Sequence, residues 1–196
     1  MYTLARVSSS SDLDKEKTIY VFGHQAPDTD AICSSIIMAN FEKEMGNINQ
    51  VISCRLGEIN KETAYALKHF GFQKPTLIEK ASEADEVILV DHNNPGQSAK
   101  DIKEAKVIKI VDHHGLSGFE SPEPIFILTE PVGCCCTVLY KLYKDNDIPI
   151  SKEIAGLMLS AIISDTVLLR SQTTTQRDVK TAKKLASICG ENLEEY

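Results

Sequence analysis

The stretch "KVIKIVDHHGL", residues 106–116, joins a strand-like run to a cluster of chemically active side chains. Its valines and isoleucines are typical of a β-strand that is covered on both faces. Asp112, His113 and His114 follow the run directly, and Gly115 comes next. In open α/β sheets, ligands bind beyond the carboxyl ends of the strands, so this position predicts a functional site.

Similar short apolar runs recur along the chain and alternate with segments that have helical spacing. Strands are predicted within residues 18–22, 50–56, 75–79, 86–92, 106–114 and 123–131. Helices are predicted within residues 31–45, 60–71, 134–146, 151–165 and 175–190, and Asn60 is the expected N-cap of the second. Strands that alternate with helices form a mostly parallel sheet covered on both faces. The sequence therefore predicts an α/β protein with a three-layer α/β/α architecture.

The composition narrows the classes of protein to consider. The 196 residues include 28 acids and 21 bases, and the net charge of −7 disfavours non-specific binding to nucleic acid. No run approaches the roughly 18 apolar residues of a membrane helix. The six cysteines contain no C-x-x-C pair, and the N-terminus has no secretory pattern, which favours free thiols in a reducing compartment. We therefore expect a soluble, cytoplasmic protein that binds neither nucleic acid nor a membrane.

Further acids and imidazoles follow the other apolar elements. These residues are His24, Asp28, Asp30, Asp91, His92 and Asp165. Each one alone has a simple structural explanation, such as a helix cap for Asp28 or Asp30, or a turn cap for Asp165. If the sheet is parallel, however, at least four carboxylates and two imidazoles meet at one edge. Their mutual repulsion then requires bound cations, so the pattern predicts a metal site.

The types of ligand narrow the choice of metal. Several carboxylates form a hard oxygen site, and the added imidazoles favour Mn²⁺, Co²⁺, Fe²⁺ or Zn²⁺ over Mg²⁺ alone. Cysteine is missing from these strand ends, which disfavours a thiolate zinc or iron–sulfur site. The predicted ligands are more numerous than one metal ion usually binds. Two ions about 3.5–4 Å apart that share a carboxylate would activate water for attack on phosphorus.

Five motifs in this order resemble those of the DHH phosphoesterase superfamily, and most closely those of the family II inorganic pyrophosphatases. They are "GHQAPDTDAICSS", "ILVDHNN", "IVDHHG", "EPVGCCCT" and "KEIAGLMLSAIISDTVLLRS". The resemblance runs from about Lys17 to Tyr196. It implies hydrolysis of pyrophosphate to two phosphates by water held between two transition-metal ions, either Mn²⁺ or Co²⁺. Mg²⁺ is expected to accompany the substrate.

The resemblance also assigns a role to each matching residue. It implies one metal held by His24 and Asp28, a second held by Asp30, His113 and Asp165, and Asp91 bridging both. His114 resembles the catalytic histidine that faces the substrate and acts as an acid or hydrogen-bond donor. Asp112 and His92 are expected to support the ligands, Asp112 by orienting an imidazole, or to make purely structural hydrogen bonds. Arg170 is the one basic residue expected to contact the substrate.

The family pattern extends beyond this chain. Its members carry a C-terminal domain whose lysines and arginines clamp pyrophosphate, and they commonly form homodimers. The four serines at 8–11 and the charges after them predict a flexible extension at residues 1–16. The resemblance implies a catalytic metal-binding domain at 17–190 and the start of a linker at 191–196. It also implies low activity for the catalytic domain alone. Gly115 stands where the family often has a basic residue, which reduces the positive charge beside the motif.

Two other functions remain open. Another DHH phosphoesterase, such as an exopolyphosphatase, a cyclic-dinucleotide phosphodiesterase or a single-strand nuclease, would share the metal ligands. A non-catalytic metal- or nucleotide-binding module would keep the fold without the chemistry. Three features favour pyrophosphate as the substrate. They are the "P-D-T-D" spacing, the "GLMLSAIISDT" motif and the excess of acidic over basic residues.

Overall fold

A computed structural model describes residues 16–47, 49–193 and 195. The predicted N-terminal extension lies outside the described residues, apart from Glu16. The strands are β1 (Thr18–Phe22), β2 (Gln50–Arg55), β3 (Thr76–Leu77), β4 (Glu86–Val90), β5 (Val107–Asp112) and β6 (Phe126–Thr129). The α-helices are α1 (Thr29–Glu44), α2 (Lys61–His69), α3 (Cys135–Asp145), α4 (Lys152–Asp165) and α5 (Gln176–Cys189). Two short 3-10 helices span Ala81–Glu83 and Pro95–Gln97.

All six strands pair in parallel, in the order β3-β2-β1-β4-β5-β6. The chain moves outward from β1 to β3, returns to the other side of β1, and moves outward again from β4 to β6. Strands β1 and β4 therefore flank the switch point of the topology, where open α/β sheets form a crevice for ligands. The predicted parallel sheet is confirmed, and its strand order places the motifs after β1 and β4 side by side.

The two faces of the sheet are covered by layers of different thickness. Apolar residues from all five α-helices pack on one face, against side chains such as Val21, Ile88 and Val111. The opposite face, which includes Leu89 and Ile110, packs against residues from the connections between strands, and these connections contain the two 3-10 helices. The predicted three-layer α/β/α fold is confirmed, with one layer reduced to short helical turns. Among the described residues, no helix is long and apolar enough to cross a membrane.

Helices α2 and α4 approach each other closely at a glycine. Asn60 caps α2 by accepting a hydrogen bond from the Thr63 N–H, as the sequence predicts. Phe70, just beyond the end of α2, packs over Gly156 in the middle of α4. A β-carbon added at Gly156 would lie 2.1 Å from Cε1 of the Phe70 ring. The backbone at Gly156 is helical, so any residue could adopt its conformation. Glycine is therefore required at this position by packing alone.

Asp178 ties the start of α5 to the segment that leads into α3. Its carboxylate accepts hydrogen bonds from the backbone N–H of Gly133 at 2.9 Å and from the hydroxyl of Thr137 at 2.6 Å. It also completes a capping box with Thr175 at the N-terminus of α5. Burial alone would raise the pKa of Asp178, but these hydrogen bonds outweigh it and lower the pKa. The carboxylate therefore stabilises the fold in its ionised form.

Gly156→Ala is expected to destabilise the protein, although alanine favours an exposed helix by about 1 kcal/mol over glycine. The new methyl group overlaps the Phe70 ring, and overpacking of this kind costs about 1–3 kcal/mol. The measurement is the free energy of unfolding in urea. The double variant Gly156→Ala/Phe70→Leu should recover part of the loss relative to Phe70→Leu alone. A single variant as stable as wild type would contradict the described α2–α4 contact.

Asp178→Asn is expected to lower the free energy of unfolding by about 1–3 kcal/mol at pH 7, because an amide group would face several donors. The folded-state pKa of Asp178 is lowered, so its stabilisation is complete above the pKa of about 3.9 expected in the unfolded chain. This stabilisation is lost as pH falls through the folded-state pKa. Urea unfolding of both proteins is compared between pH 7 and pH 3. The difference between their free energies of unfolding should become smaller below about pH 4. A difference that stays constant would contradict this linkage.

Candidate metal centre

The turn after β1 is tight and brings two acids to the sheet edge. A β-carbon at Gly23 would lie 2.6 Å from the β-carbon of Ala31, so only glycine allows α1 to start so close to β1. Asp28 caps α1 by accepting a hydrogen bond from the Ala31 N–H at 2.9 Å. Asp30 lies in the first turn of the same helix, where the helix dipole favours an anion. The cap predicted for Asp28 leaves its second oxygen available to the site.

Asp91 lies directly after β4 with a φ of 57°, in the left-handed region that non-glycine residues rarely occupy. Its backbone N–H donates to the carbonyl of Val111 on the neighbouring strand β5 at 3.0 Å. The side chain is only 2% exposed. Strained conformations of this kind cluster at functional sites, where the surrounding structure enforces them. Here the turn directs a carboxylate into the crevice at the carboxyl ends of β1 and β4.

The two oxygens of Asp91 face two different imidazoles. Oδ2 lies 3.5 Å from Nε2 of His24, and that nitrogen is also 3.5 Å from Oδ2 of Asp28. Oδ1 lies 3.2 Å from Nε2 of His113, which is also 3.5 Å from Oδ2 of Asp165 and 4.0 Å from Oδ2 of Asp30. The described residues contain four groups of three potential ligands whose ligand atoms lie close together. Two of these groups consist of predicted metal ligands: His24, Asp28 and Asp91 form the first, and Asp30, His113 and Asp165 form the second. The other two comprise Asp91, His113 and His114, and Asp30, Cys134 and Cys136.

Two buried polar atoms in this site fit a bound cation. Within the part of the chain that the structure describes, Oδ1 of Asp91 and Nε2 of His113 make no hydrogen bond of acceptable geometry. The other ring nitrogen of His113, Nδ1, lies 3.0 Å from the carbonyl of Val132 and donates its proton there. In the neutral ring, Nε2 therefore presents its lone pair to the site, as in histidines that bind metals. A cation between these atoms would satisfy both of them.

The electrostatics of the site also favour positive charge. Hydrogen bonding to Asp28 and then to Asp91 raises the pKa of His24 to about 10. Burial alone would lower the pKa of His113, but the contact with Asp91 raises it to about 10. Burial, reinforced by neighbouring carboxylates, raises the pKa of Asp165 to about 8. Asp165 also ends α4, a helix without a basic residue in its last turn, so the helix dipole disfavours its negative charge. Metal ions would replace protons at these groups.

Asp30 is held from behind by the N-terminus of α3. Its carboxylate accepts hydrogen bonds from the backbone N–H of Cys135 at 2.6 Å and of Cys136 at 3.2 Å. The hydroxyl of Ser34, one turn further along α1, donates to it at 2.9 Å. The sequence analysis did not identify these donors, because amide groups of a helix terminus carry no residue-type signal. All six cysteines are free and buried, and Cys135 and Cys136 act here through their backbones.

Asp112 orients the ring of His114, two residues further along the chain. Its Oδ1 accepts from Nδ1 of His114 at 2.9 Å, and its Oδ2 accepts from the side-chain amide of Asn93 at 2.7 Å. Burial alone would raise the pKa of Asp112, but these bonds lower it to about 2. The side chain of His114 is 54% exposed, and the bond to Asp112 raises its pKa. Asn93 lies in the "ILVDHNN" motif, but the sequence predicts no role for it, because its amide offers no catalytic chemistry.

Two further predicted residues lie outside the ligand groups. His92 is buried, with Nδ1 2.9 Å from the carbonyl of Val90 and Nε2 3.0 Å from the hydroxyl of Ser98. Neither of its nitrogens hydrogen-bonds to a predicted ligand, so its bonds are those of a structural histidine. Arg170 is exposed in the turn that follows α4. Arg170 follows Asp165 by five residues, and its side chain makes no hydrogen bond or ion pair within the described residues.

Three comparisons with known proteins found related sequences and structures. The pattern of the DHH family, N-terminal domain, matches residues 18–162. The manganese-dependent inorganic pyrophosphatase of Bacillus subtilis (strain 168) is 51% identical over 179 residues, which cover 91% of this chain and 57% of the relative. The crystal structure of a Methanococcus jannaschii protein, provisionally described as a family II inorganic pyrophosphatase, superposes with a TM-score of 0.83 at 45% identity. That match covers 90% of this chain and 58% of the other chain.

A more distant structure shares the fold alone. An exopolyphosphatase-related protein from Bacteroides fragilis superposes with a TM-score of 0.70 at 20% identity, over 92% of this chain and 54% of the other. The chain spans a little more than half the length of the curated relatives that it matches. The family pattern covers most of the chain and includes the residues of the candidate centre from His24 to His114, whereas Asp165 lies just beyond the matched range. The chain therefore belongs to the DHH family.

Proposed function

We propose that this chain carries the catalytic metal centre of a manganese-dependent inorganic pyrophosphatase. The observation that carries the proposal is the position of Asp91, whose two oxygens face two separate groups of ligands. The name of the Bacillus subtilis relative supports manganese and pyrophosphate. The mixture of imidazole and carboxylate ligands also suits Co²⁺, and Mg²⁺ is proposed to accompany the substrate.

The chain's own side chains would divide the work between two ions. His24 and Asp28 would hold one ion, Asp30, His113 and Asp165 would hold the other, and Asp91 would bridge them. When bound, two such ions would supply Lewis-acid chemistry, a lower pKa for a nucleophilic water and positive charge beside the phosphoryl group. Val132 fixes the His113 ring in the orientation that presents Nε2, so that ligand is positioned before any ion binds.

His114 is proposed to donate a proton or a hydrogen bond to the phosphate substrate. With Nδ1 bonded to Asp112, the ring presents Nε2 away from that carboxylate. The raised pKa of His114 keeps Nε2 protonated to higher pH than in an unperturbed histidine, which suits a donor facing an anion. Arg170 is proposed as an additional contact for the substrate, because it is exposed and follows the helix that carries Asp165.

Residues 17–190 are proposed as the catalytic domain and 191–196 as the start of a linker, in line with the family resemblance. A homodimer is proposed on the same ground. The edge position of β6, with Phe126 and Ile127 exposed by 40% and 44%, supports it because edge strands pair readily with another chain.

Mn²⁺ titration is expected to show two bound ions per chain, with release of protons from the imidazoles. Asp91→Asn keeps the side-chain size and tolerates the left-handed backbone, but removes the bridging charge. We expect it to bind the second ion at least about 100-fold more weakly, since even loss of an outer hydrogen-bond partner costs about 10–100-fold. The measurement is free Mn²⁺ detected by electron paramagnetic resonance.

Asp147→Asn is the matched control for this experiment. Asp147 also has a left-handed φ, 55°, but it is exposed and lies outside the ligand groups. Its variant should bind two ions with wild-type affinity. If wild type retains well under one Mn²⁺ per chain, or if Asp91→Asn binds like wild type, the proposed centre is wrong.

Phosphate release from pyrophosphate by the Mn²⁺-loaded chain is expected to be slow, because Arg170 is the one basic contact proposed for the substrate. His114→Gln should lower kcat by about 100-fold or more while two ions stay bound, as is usual for loss of a proton donor. His69→Gln, on the exposed end of α2, is the matched control and should leave kcat unchanged.

The same assay distinguishes the alternative phosphoesterases. Pyrophosphate, polyphosphate, a cyclic dinucleotide and single-stranded DNA are compared at equal Mn²⁺ concentration. Faster turnover of any of the last three would overturn the assignment to pyrophosphate. Two bound ions without hydrolysis of any substrate would favour the non-catalytic module.

A further inference from the structure

Glu62 connects two helix ends that carry predicted metal ligands. It lies in the first turn of α2, two residues after the Asn60 cap. Its Oε2 accepts a hydrogen bond from the hydroxyl of Thr29 at 3.2 Å and from the hydroxyl of Ser164 at 2.9 Å. One carboxylate oxygen therefore joins the start of α1 to the last turn of α4.

The two hydroxyl residues are direct neighbours of ligands. Thr29 lies between Asp28 and Asp30, and Ser164 immediately precedes Asp165. Thr29 is fully buried, and its hydroxyl also lies 3.0 Å from the hydroxyl of Thr63 in α2. A shift of Glu62 would therefore move Thr29 and Ser164, which are direct neighbours of ligands. Through Thr29 the shift would reach ligands of both proposed ions.

The connection opposes a repulsion inside the site. Asp30 and Asp165 contribute to the same ligand group, so their like charges repel each other when no cation lies between them. Their helices, α1 and α4, are far apart in the sequence and meet here by tertiary packing. Without a connection, charge repulsion would favour a wider separation of the helix ends in the metal-free protein.

We propose that Glu62 is a positioning residue that sets the distance between the start of α1 and the end of α4, and so prepares the two metal sites for binding. The inference rests on the proposed metal centre. Glu62 is not a member of any ligand group found among the described residues, so it acts through Thr29 and Ser164. The role requires a hydrogen-bond acceptor at this position and does not require a negative charge.

The experiment compares Glu62→Ala with Glu62→Gln in the full chain. Alanine removes the acceptor, and Mn²⁺ affinity at the weaker site should fall about tenfold, in the range seen for loss of supporting hydrogen bonds to metal ligands. Glutamine keeps an acceptor oxygen without the charge, so its affinity should stay within about twofold of wild type. Two Mn²⁺ ions that share a carboxylate are spin-coupled, so the electron paramagnetic resonance spectrum provides a second readout. Glu62→Ala should weaken this coupling at saturating Mn²⁺, and Glu62→Gln should preserve it.

Two further variants separate positioning from general destabilisation. Ser164→Ala should resemble Glu62→Ala, and the double variant should bind Mn²⁺ no more weakly than Glu62→Ala alone, because both changes break the same connection. Lys61→Ala, at the neighbouring exposed position of α2, should bind like wild type. Metal-free thermal unfolding should be similar for Glu62→Ala and Lys61→Ala.

Each alternative outcome overturns the inference in a distinct way. If Glu62→Ala keeps wild-type affinity and coupling, the connection does not prepare the site. If Glu62→Gln binds as weakly as Glu62→Ala, the negative charge acts directly and the positioning role is wrong. If Glu62→Ala also melts far below Lys61→Ala without metal, a structural role explains the loss. If wild type itself binds no Mn²⁺, the proposed metal centre fails together with the inference.

Discussion

The site depends on one buried carboxylate that is placed between two imidazoles. Asp91 follows the strand beside the switch point of the sheet, and its left-handed backbone directs Oδ1 and Oδ2 toward His113 and His24. Several other anions converge on the same crevice. A cluster of this kind is stable only when positive charge accompanies it, either as protons on the histidines or as metal ions. The ligand function and the folding of this edge are therefore coupled.

The rest of the fold supports this cluster through helix ends. Backbone N–H groups at the N-terminus of α3 donate hydrogen bonds to Asp30, whereas Asp165 lies at the C-terminus of α4. The first arrangement stabilises an anion, and the second disfavours one. Asp178 in turn binds Gly133 and Thr137, on either side of the start of α3. Interactions remote from the crevice thus determine where its ligands lie.

The fold was predictable because its strands and helices have strong local patterns. The predicted first strand matches β1 at both ends, and Asn60 caps α2 as expected. The predicted strand at 75–79 was too long, since only Thr76–Leu77 pair with β2 at the edge of the sheet. The thin second layer was not anticipated, because 3-10 turns have no apolar periodicity that distinguishes them from loops. Supporting groups such as Ser34 and Glu62 were also missed, since common hydroxyl and acidic residues acquire a role only from what surrounds them.

The sequence by itself determined the class of fold and the types of ligand. Alternating apolar runs predict a parallel α/β sheet, and acids and histidines placed after those runs predict a cation site, because both signals are local and repeat along the chain. Only the tertiary structure decided which residues meet. The strand order brings β1 and β4 together, α4 returns Asp165 from a distant part of the chain, and the turn at Asp91 divides the ligands into two groups. These contacts depend on packing between segments far apart in sequence, so no local pattern could specify them.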